Sequence, residues 1–285
     1  MKNLENRINK IVPILVVLLC FSCKEHNSKS TLQVFERDST VVKSEFQSII
    51  DSSDVLGSIL ILDLNNMVYY SNDFEWANTG KLPASTFKIA NSIIGLETGV
   101  INSDSTIFKW DGEEKWLKAW EQDLVLKDAF KFSCVPCYQD VAREIGAPRM
   151  KEYIANFNYG TLDITETNID NFWLEGKSRI TQFQQIDFLK RFYKNELSIT
   201  KRTGDIVSAI LLIEDNDHYK LSGKTGLSNE NKEYNGWFVG YLEQDNNTYF
   251  FATNLEPKGN INLDSFIKKR LDLTMKAFRV LTIMN

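Results

Sequence analysis

Histidine is almost absent from this sequence, which contains only His26 and His218 in 285 residues. A Ser-His-Asp triad uses a histidine as its proton acceptor, and only His218 lies in the part expected to fold. If a serine is the nucleophile, its proton acceptor is therefore not expected to be an imidazole. The sequence also lacks a G-x-S-x-G elbow, a G-x-x-x-x-G-K-[ST] phosphate loop and an H-E-x-x-H zinc pair.

A basic face or stripe is lacking, because Lys and Arg are scattered along the sequence and the formal net charge is -5. A nucleic-acid-binding protein would carry a basic face or stripe. We therefore expect a small-molecule ligand and no nucleic-acid partner. Composition leaves the oligomeric state open.

Cysteine is scarce as well, with Cys20, Cys23, Cys134 and Cys137. The last two form a C-x-x-C, which can indicate redox chemistry or half of a zinc site. A second half-site is missing, so we expect no metal. We interpret the pair as small buried residues that are able to form a local disulfide, and leave the pairing open.

The N-terminal segment combines basic residues with an apolar run from Ile11 to Phe21. This run is short for a membrane span and fits an export signal. With Ser22 before Cys23, it resembles a bacterial lipoprotein signal, which implies lipidation of Cys23. We therefore predict a signal over residues 1–23, a polar tether over 24–35, and a periplasmic protein attached to the membrane only through its lipid. An ordinary signal or an uncleaved anchor is the alternative.

Strand patterns occur at both ends of the remaining chain, with mainly helical and irregular patterns between them. The stretch 58–71 predicts a hairpin, three further strands are predicted between 219 and 256, and "TQFQ" at 181–184 predicts a capping box. We expect a final helix capped by Asp264 or Ser265. The sequence thus predicts an α/β protein of the α+β type, with one two-lobed domain over 36–285.

Lys88 follows Ser85 by three positions at the start of a predicted helix that is largely apolar. Their side chains would lie on one face. A serine hydroxyl becomes a good nucleophile when a nearby base takes its proton. Burial near a helix N-terminus lowers the pKa of a lysine, so Lys88 could act as that base. The alternative is a serine cap beside a lysine that reaches solvent.

Two later motifs strengthen the catalytic interpretation. Ser133 begins an S-x-V, and Lys224 begins a K-T-G at the end of a predicted strand. S-x-x-K, a second serine motif and K-T-G together are typical of serine β-lactamases and penicillin-binding proteins. With "FSCVPCYQDVAREIGAPRM" and "NFWLEGKSRIT", the region from about 55 to 280 resembles the class D, or oxacillinase-type, β-lactamases. One departure is Thr161, where the family usually has asparagine.

This resemblance implies a fold with an antiparallel sheet, flanked by N- and C-terminal helices, and an inserted helical lobe. It also implies hydrolysis of the β-lactam ring of penicillin-type antibiotics, and thereby antibiotic resistance. Carbon dioxide would carboxylate Lys88, and the resulting carbamate would be the general base, held by Trp173 in an apolar pocket that includes Val135. No other cofactor is implied.

The resemblance assigns the remaining roles as follows. The backbone N–H groups of Ser85 and Leu227 would form the oxyanion hole, and Ser133 with Lys224 would protonate the leaving nitrogen. The substrate-binding residues would be Thr225, Gly226, Leu227 and Arg270, with Thr225 and Arg270 on the substrate carboxylate.

Three alternatives share these motifs: a β-lactam sensor domain that stays acylated, a penicillin-binding enzyme of the cell wall, and an inactive relative. The sensors have transmembrane helices and a signalling part, which this sequence lacks. The penicillin-binding enzymes usually have an asparagine in the second motif, where this chain has Val135. The sequence motifs do not distinguish penicillins from cephalosporins or carbapenems as substrates.

Overall fold

The strands predicted at the two ends of the chain pair with each other in one sheet. Residues 55–63 pair antiparallel with residues 249–257, from Val55 opposite Pro257 to Asp63 opposite Tyr249. The 55–63 strand is buried over nearly its whole length, because helices cover both faces of the sheet. The predicted hairpin is confirmed, since residues 60–63 also pair with 68–71.

The computed structural model describes residues 39–230, 233–259 and 262–284. The predicted signal (1–23), the lipidation site Cys23 and the tether (24–35) lie outside these described residues. Within the described part, no helix is both long enough and apolar enough to cross a bilayer.

The described residues contain nine strands, which are β1 (Ser39–Val42), β2 (Val55–Asp63), β3 (Val68–Ser71), β4 (Ile107–Phe108), β5 (Leu124–Val125), β6 (Leu212–Asp215), β7 (Lys220–Glu230), β8 (Glu233–Gln244) and β9 (Asn247–Pro257). Seven of them share the main sheet in the order β1-β3-β2-β9-β8-β7-β6, while β4 and β5 form a separate pair.

Nine α-helices accompany these strands in the described part of the chain. They are α1 (Ser44–Asp51), α2 (Phe74–Ala77), α3 (Lys88–Glu97), α4 (Leu126–Lys131), α5 (Val135–Ile145), α6 (Ala147–Phe157), α7 (Gln182–Tyr193), α8 (Lys201–Leu211) and α9 (Leu263–Val280).

The antiparallel sheet is confirmed except at one edge. β1 pairs with β3 in parallel, with Ser39 opposite Val68, so the sheet is mixed. A parallel neighbour is possible here because α1 and β2 intervene between the two strands and provide the crossover.

The first and last helices pack against each other and against the sheet. Their apolar sides bury Phe46, Ile50, Phe266 and Phe278 in a core that includes Phe251 of β9. On the sheet, α7 also packs against β9, β8 and β2. This arrangement confirms the flanking N- and C-terminal helices and the α+β architecture.

Three helix ends were predicted from the sequence, of which one is confirmed and two differ in the structure. The capping box is confirmed, because Thr181 and Gln184 exchange side-chain-to-backbone hydrogen bonds. The cap of α9 is Asn262 rather than Asp264 or Ser265, and its Oδ1 accepts the N–H of Ser265 at 3.0 Å. Residues 84–87 form a 3₁₀ turn, so the α-helix predicted from Ser85 begins at Lys88.

Candidate active site

Ser85 and Lys88 meet across the 3₁₀ turn that leads into α3. The Lys88 Nζ donates a hydrogen bond to the Ser85 Oγ at 3.0 Å, and both residues are buried. The preceding residue, Ala84, has a φ of 50°, which is uncommon for a residue other than glycine. Its N–H donates to the Trp173 carbonyl at 2.8 Å. The turn is therefore held in an unusual conformation next to the serine.

Lys88 is enclosed completely and its charge has no acidic partner within the described residues. Burial lowers the pKa of Lys88 to about 7, because an ammonium loses its hydration in a low-dielectric environment. The Nζ also lies 5.3 Å from the centre of the Tyr138 ring. A large fraction of Lys88 is therefore neutral near pH 7 and able to react as an amine or accept a proton.

Ser133 and Lys224 form a second serine–lysine pair. The Lys224 Nζ donates to the Ser133 Oγ at 2.7 Å and to the Thr225 carbonyl at 3.0 Å. Ser133 has a φ of 56°, and the N-cap of α5 is Cys134 rather than Ser133. Ser133 therefore does not cap α5, and its hydroxyl accepts a hydrogen bond from Lys224 instead.

The charge of Lys224 is strongly disfavoured. Burial, and then the positive charges of Lys88 and Arg270, lower the pKa of Lys224 well below its usual value. This electrostatic coupling connects the two serine–lysine pairs, because like charges in one low-dielectric region raise each other's energy.

The K-T-G segment of β7 passes close to the Ser85 turn. A Cβ added to Gly226 would lie 3.2 Å from the Pro83 carbonyl oxygen and 3.3 Å from the Ser85 nitrogen. Thr225 and Leu227 are partly exposed on either side of buried Gly226. Glycine allows this approach of strand and turn, which brings the backbone of β7 at residue 226 beside the serine.

Arg270 lies on α9 and is buried rather than exposed to solvent. Its Nη1 donates to the Gly226 carbonyl and its Nε donates to the Ile267 carbonyl at 2.9 Å. Burial lowers the pKa of Arg270 to about 10. The neighbouring Lys269 points elsewhere and donates to the Ser53 carbonyl.

Trp173 is fully buried, and its indole Nε1 has no hydrogen-bond partner among the described residues. The ring stacks on Phe87, with ring centres 5.4 Å apart, directly before Lys88 in the chain. Val135 is the first residue of α5 and is partly buried. An unpaired buried donor costs free energy, so this site favours an added acceptor.

Thr161, the departure from the family pattern, is exposed on a short bridge rather than inside the site. Its N–H donates to the Arg179 carbonyl at 2.8 Å, and its carbonyl accepts the Arg179 N–H at 2.8 Å. The backbone alone makes these contacts, which explains why threonine fits here.

Two aromatic side chains that line the site belong to no motif recognised in the sequence. Tyr138 faces Lys88, and the Phe130 ring lies 5.6 Å from the Lys224 Nζ. Both residues are near Ser133 in the sequence, at helical positions that pack inward. The C-x-x-C is a disulfide between Cys134 and Cys137. Among the described residues, no three His, Cys, Asp or Glu side chains form a metal-binding group.

Comparison with known proteins identifies the family. The penicillin binding protein transpeptidase domain matches residues 61–271. β-Lactamase OXA-10 of Pseudomonas aeruginosa is 45% identical over 189 residues, covering 65% of this chain and 71% of that protein. β-Lactamase OXA-48 of Klebsiella pneumoniae is 41% identical over 200 residues, covering 70% and 75%. The crystal structure of the class D β-lactamase YbXI from Nostoc has a TM-score of 0.81 at 41% identity, covering 86% of this chain and all of that one. The chain therefore belongs to the class D serine β-lactamases, within the transpeptidase family of the penicillin-binding proteins.

Proposed function

We propose that this chain hydrolyses penicillin-type β-lactams through an acyl-enzyme on Ser85, with carboxylated Lys88 as the general base, and so confers antibiotic resistance. Serine-dependent β-lactam hydrolysis is the activity of the family to which it belongs. The observation that carries the finer proposal is the 3.0 Å contact between the Ser85 Oγ and the Lys88 Nζ, in a pocket that lowers the pKa of Lys88 to about 7.

Acylation begins at Ser85. Its Oγ attacks the β-lactam carbonyl carbon and loses its proton, while the backbone N–H groups of Ser85 and Leu227 stabilise the oxyanion. One such donor is worth about 10²–10³ in rate in other enzymes. The C–N bond of the ring then breaks. Ser133 passes a proton to the ring nitrogen, and Lys224 replaces it through the 2.7 Å contact with the Ser133 Oγ.

The residues around Lys88 fit a carbamate. A neutral amine is required for reaction with carbon dioxide, and the lowered pKa of Lys88 provides it. Trp173 Nε1 is a buried donor that needs an acceptor. When formed, the carbamate supplies an anionic oxygen that accepts the Ser85 proton in acylation and a water proton in deacylation, where general-base assistance is typically worth ~10²–10⁴.

Positive charge supports recognition of an anionic substrate. Arg270 is buried and keeps its charge near pH 7, since its pKa is lowered only to about 10, and it forms no ion pair within the described residues. Uncompensated buried charge is unfavourable, so binding an anion relieves it. Arg270 and Thr225 would bind the substrate carboxylate.

Benzylpenicillin turnover by the purified protein, with and without bicarbonate, tests the proposal. Intact mass after rapid quenching reports acylation of Ser85. We expect many turnovers, faster with bicarbonate, and loss of activity in Ser85→Ala and Lys88→Ala. A stable adduct on Ser85 without turnover would instead indicate the sensor or penicillin-binding alternative, and no adduct would refute the assignment.

We also propose export and lipid attachment at Cys23, which rest on the sequence pattern alone. Metabolic labelling with a radioactive fatty acid in a bacterial host should label the protein and place it in the membrane fraction. Cys23→Ala should lose the label, whereas Cys20→Ala should keep it. Equal labelling of both variants would contradict the proposal.

A further inference from the structure

The disulfide between Cys134 and Cys137 lies inside the active-site region. The two Cα atoms are 5.5 Å apart, and both residues are buried. Ser133 directly precedes this bridge and Tyr138 directly follows it, with Val135 between the two cysteines. The bridge thus spans the first turn of α5, where three residues of the site meet.

On the N-terminal side, the bridge anchors the residue that determines where Ser133 points. Cys134 is the N-cap of α5, and its Sγ accepts the N–H of Cys137 at 3.3 Å. The Cys134 N–H donates to the Ala129 carbonyl at 2.8 Å. Ser133 is held before this cap with a φ of 56°, a conformation that only surrounding contacts maintain. A movement of Cys134 would therefore displace the Ser133 Oγ from Lys224.

On the C-terminal side, the same turn places Tyr138 against Lys88. The Tyr138 ring is 5.3 Å from the Lys88 Nζ. Its hydroxyl shares a 2.7 Å hydrogen bond with Ser92, and its carbonyl accepts from the Asn91 Nδ2 at 3.1 Å. Ser92 and Asn91 belong to α3, the helix that begins with Lys88. The first turn of α5 therefore contributes to the surroundings of both lysines.

The bridge is poorly placed to stabilise the whole fold. A disulfide constrains the unfolded chain more when it closes a longer loop, and this one closes only the segment from Cys134 to Cys137. Its main physical effect is consequently local. It restrains the helix turn that lies between the two serine–lysine pairs.

We propose that the Cys134–Cys137 disulfide is a positioning element of the active site, which holds Ser133 against Lys224 and Tyr138 against Lys88, so that opening it slows acylation while the protein stays folded. This inference rests on the proposed function. It also fits the proposed export, because disulfides persist outside the reducing cytosol.

The first test compares the oxidised protein with the double variant Cys134→Ser plus Cys137→Ser, which removes the bridge but keeps a polar cap. Single-turnover acylation by benzylpenicillin is measured at a temperature where circular dichroism shows both proteins folded. We expect the acylation rate constant to fall about 10- to 100-fold, since small misplacements have effects of this size. The bicarbonate concentration for half-maximal turnover should rise, because Tyr138 no longer encloses Lys88.

Thr200→Ala is the matched control. Thr200 caps α8 by accepting the N–H of Thr203, and it takes no part in the site. This variant should lower the melting temperature and leave both acylation and the bicarbonate requirement unchanged. If the double variant behaved in the same way, the bridge would be merely structural and the inference would be overturned.

The second test opens the bridge reversibly. Dithiothreitol gives two electrons and two protons to the disulfide, which becomes two thiols, while the reagent becomes a cyclic disulfide. Alkylation and intact mass count the thiols. Acylation should slow to the rate of the double variant and recover on reoxidation, and the reagent should not affect the double variant. If the bridge resists reduction, the acylation rate of the double variant alone decides whether the disulfide positions the site. Failure of the oxidised protein to turn over benzylpenicillin would refute the proposed function instead.

Discussion

At the scale of single residues, the site depends on keeping a lysine where its charge is unfavourable. The Lys88 side chain is fully buried, and among the described residues its only hydrogen bond is the donation to the Ser85 Oγ. Burying an ionisable amine lowers the stability of the folded protein, and such a loss is typical of residues that serve catalysis. This trade-off can be measured, because protonation of Lys88 links stability to pH.

Lys88→Met should stabilise the protein, most strongly at low pH. The unfolded lysine keeps its proton up to about pH 10.5, whereas the folded one releases it near pH 7. The unfolded state therefore binds more protons in this window, and wild-type stability rises with pH through it. In buffer free of carbon dioxide, the gain should be on the order of 5 kcal/mol below pH 7 and shrink towards pH 10. Urea unfolding at each pH measures it.

Lys151→Met provides the control for this experiment. Lys151 is exposed on α6, so replacing it should change stability little and leave the pH slope of the wild type intact. A gain for Lys88→Met that stayed constant from pH 6 to pH 10 would show that Lys88 is not buried as a neutral amine.

Arg270→Ala should lower kcat/KM for benzylpenicillin about 10- to 100-fold, because hydrogen bonds to charged groups contribute about 1.5–3 kcal/mol. The loss should appear mainly in KM, as expected when ground-state and transition-state binding are weakened together. Lys268→Ala, an exposed neighbour on α9, should retain wild-type kinetics. Equal effects of the two variants would exclude a role of Arg270 in binding the carboxylate.

At the scale of elements, the site is an intersection of three segments: the turn before α3, the turn before α5, and the middle of β7. Both turns carry a residue with positive φ, Ala84 or Ser133. β7 contributes Lys224 and lies against the first turn at Gly226. The spacing between these elements, more than any single contact, sets the geometry.

Gly226→Ala tests this spacing. The added methyl group would meet the Pro83 oxygen and the Thr86 Cγ2, each at 3.2 Å, which is tighter than ordinary contact. β7 and the Ser85 turn must therefore separate slightly, and we expect acylation to slow by about 10²-fold. Stopped-flow acylation measures this rate.

Gly204→Ala is the counterpart in α8, where the nearest atom to the added methyl group would be the Asn195 Oδ1 at 3.9 Å. Alanine is the better helix former, so this variant should gain about 0.5–1 kcal/mol and keep its activity. If Gly226→Ala acylated at the wild-type rate, the approach of β7 to the turn would not limit catalysis.

Sequence patterns identified the elements whose signals are local. The hairpin and the Thr181 capping box each involve residues close together in the chain, so the relevant side chains can be recognised in the sequence. The cap of α9 could not be chosen in the same way, because Asn262, Asp264 and Ser265 are all competent caps.

Features that depend on packing between distant segments could not be predicted from the sequence. The contact of Tyr138 with Lys88 requires α5 to pack against α3, and periodicity gives only the buried side of each helix. The parallel pairing of β1 was also missed, since all four residues of β1 are exposed and have no apolar alternation. The serine and lysine motifs were found because their order and spacing resemble a known family.

At the scale of the whole molecule, the central sheet joins the two ends of the described chain. β2 pairs with β9 over nine positions, and α1 packs against α9. Residues 64–248 lie between these paired strands and contain all three segments of the site. The site therefore depends on a sheet that both ends of the described chain complete, because β7 and β8 belong to that sheet and contact the turn before α3.

Hydrogen exchange should reveal this coupling. Phe278 of α9 is fully buried and meets the Phe251 ring edge-on, with centres 5.6 Å apart. Phe278→Ala should lower the free energy of unfolding by about 3–5 kcal/mol. The slowest amides of β2 and β9 should exchange faster by the factor that corresponds to this loss, since they exchange only when the whole protein unfolds. Amides at the edges of the sheet, in β1 and β6, should change little because local opening already exposes them.

Leu212→Ala, at a half-exposed position on β6, is the control and should leave the exchange rates of β2 and β9 unchanged. If Phe278→Ala accelerated exchange in β9 but not in β2, the two ends of the chain would unfold separately, and the sheet would not be the single cooperative unit that holds the site together.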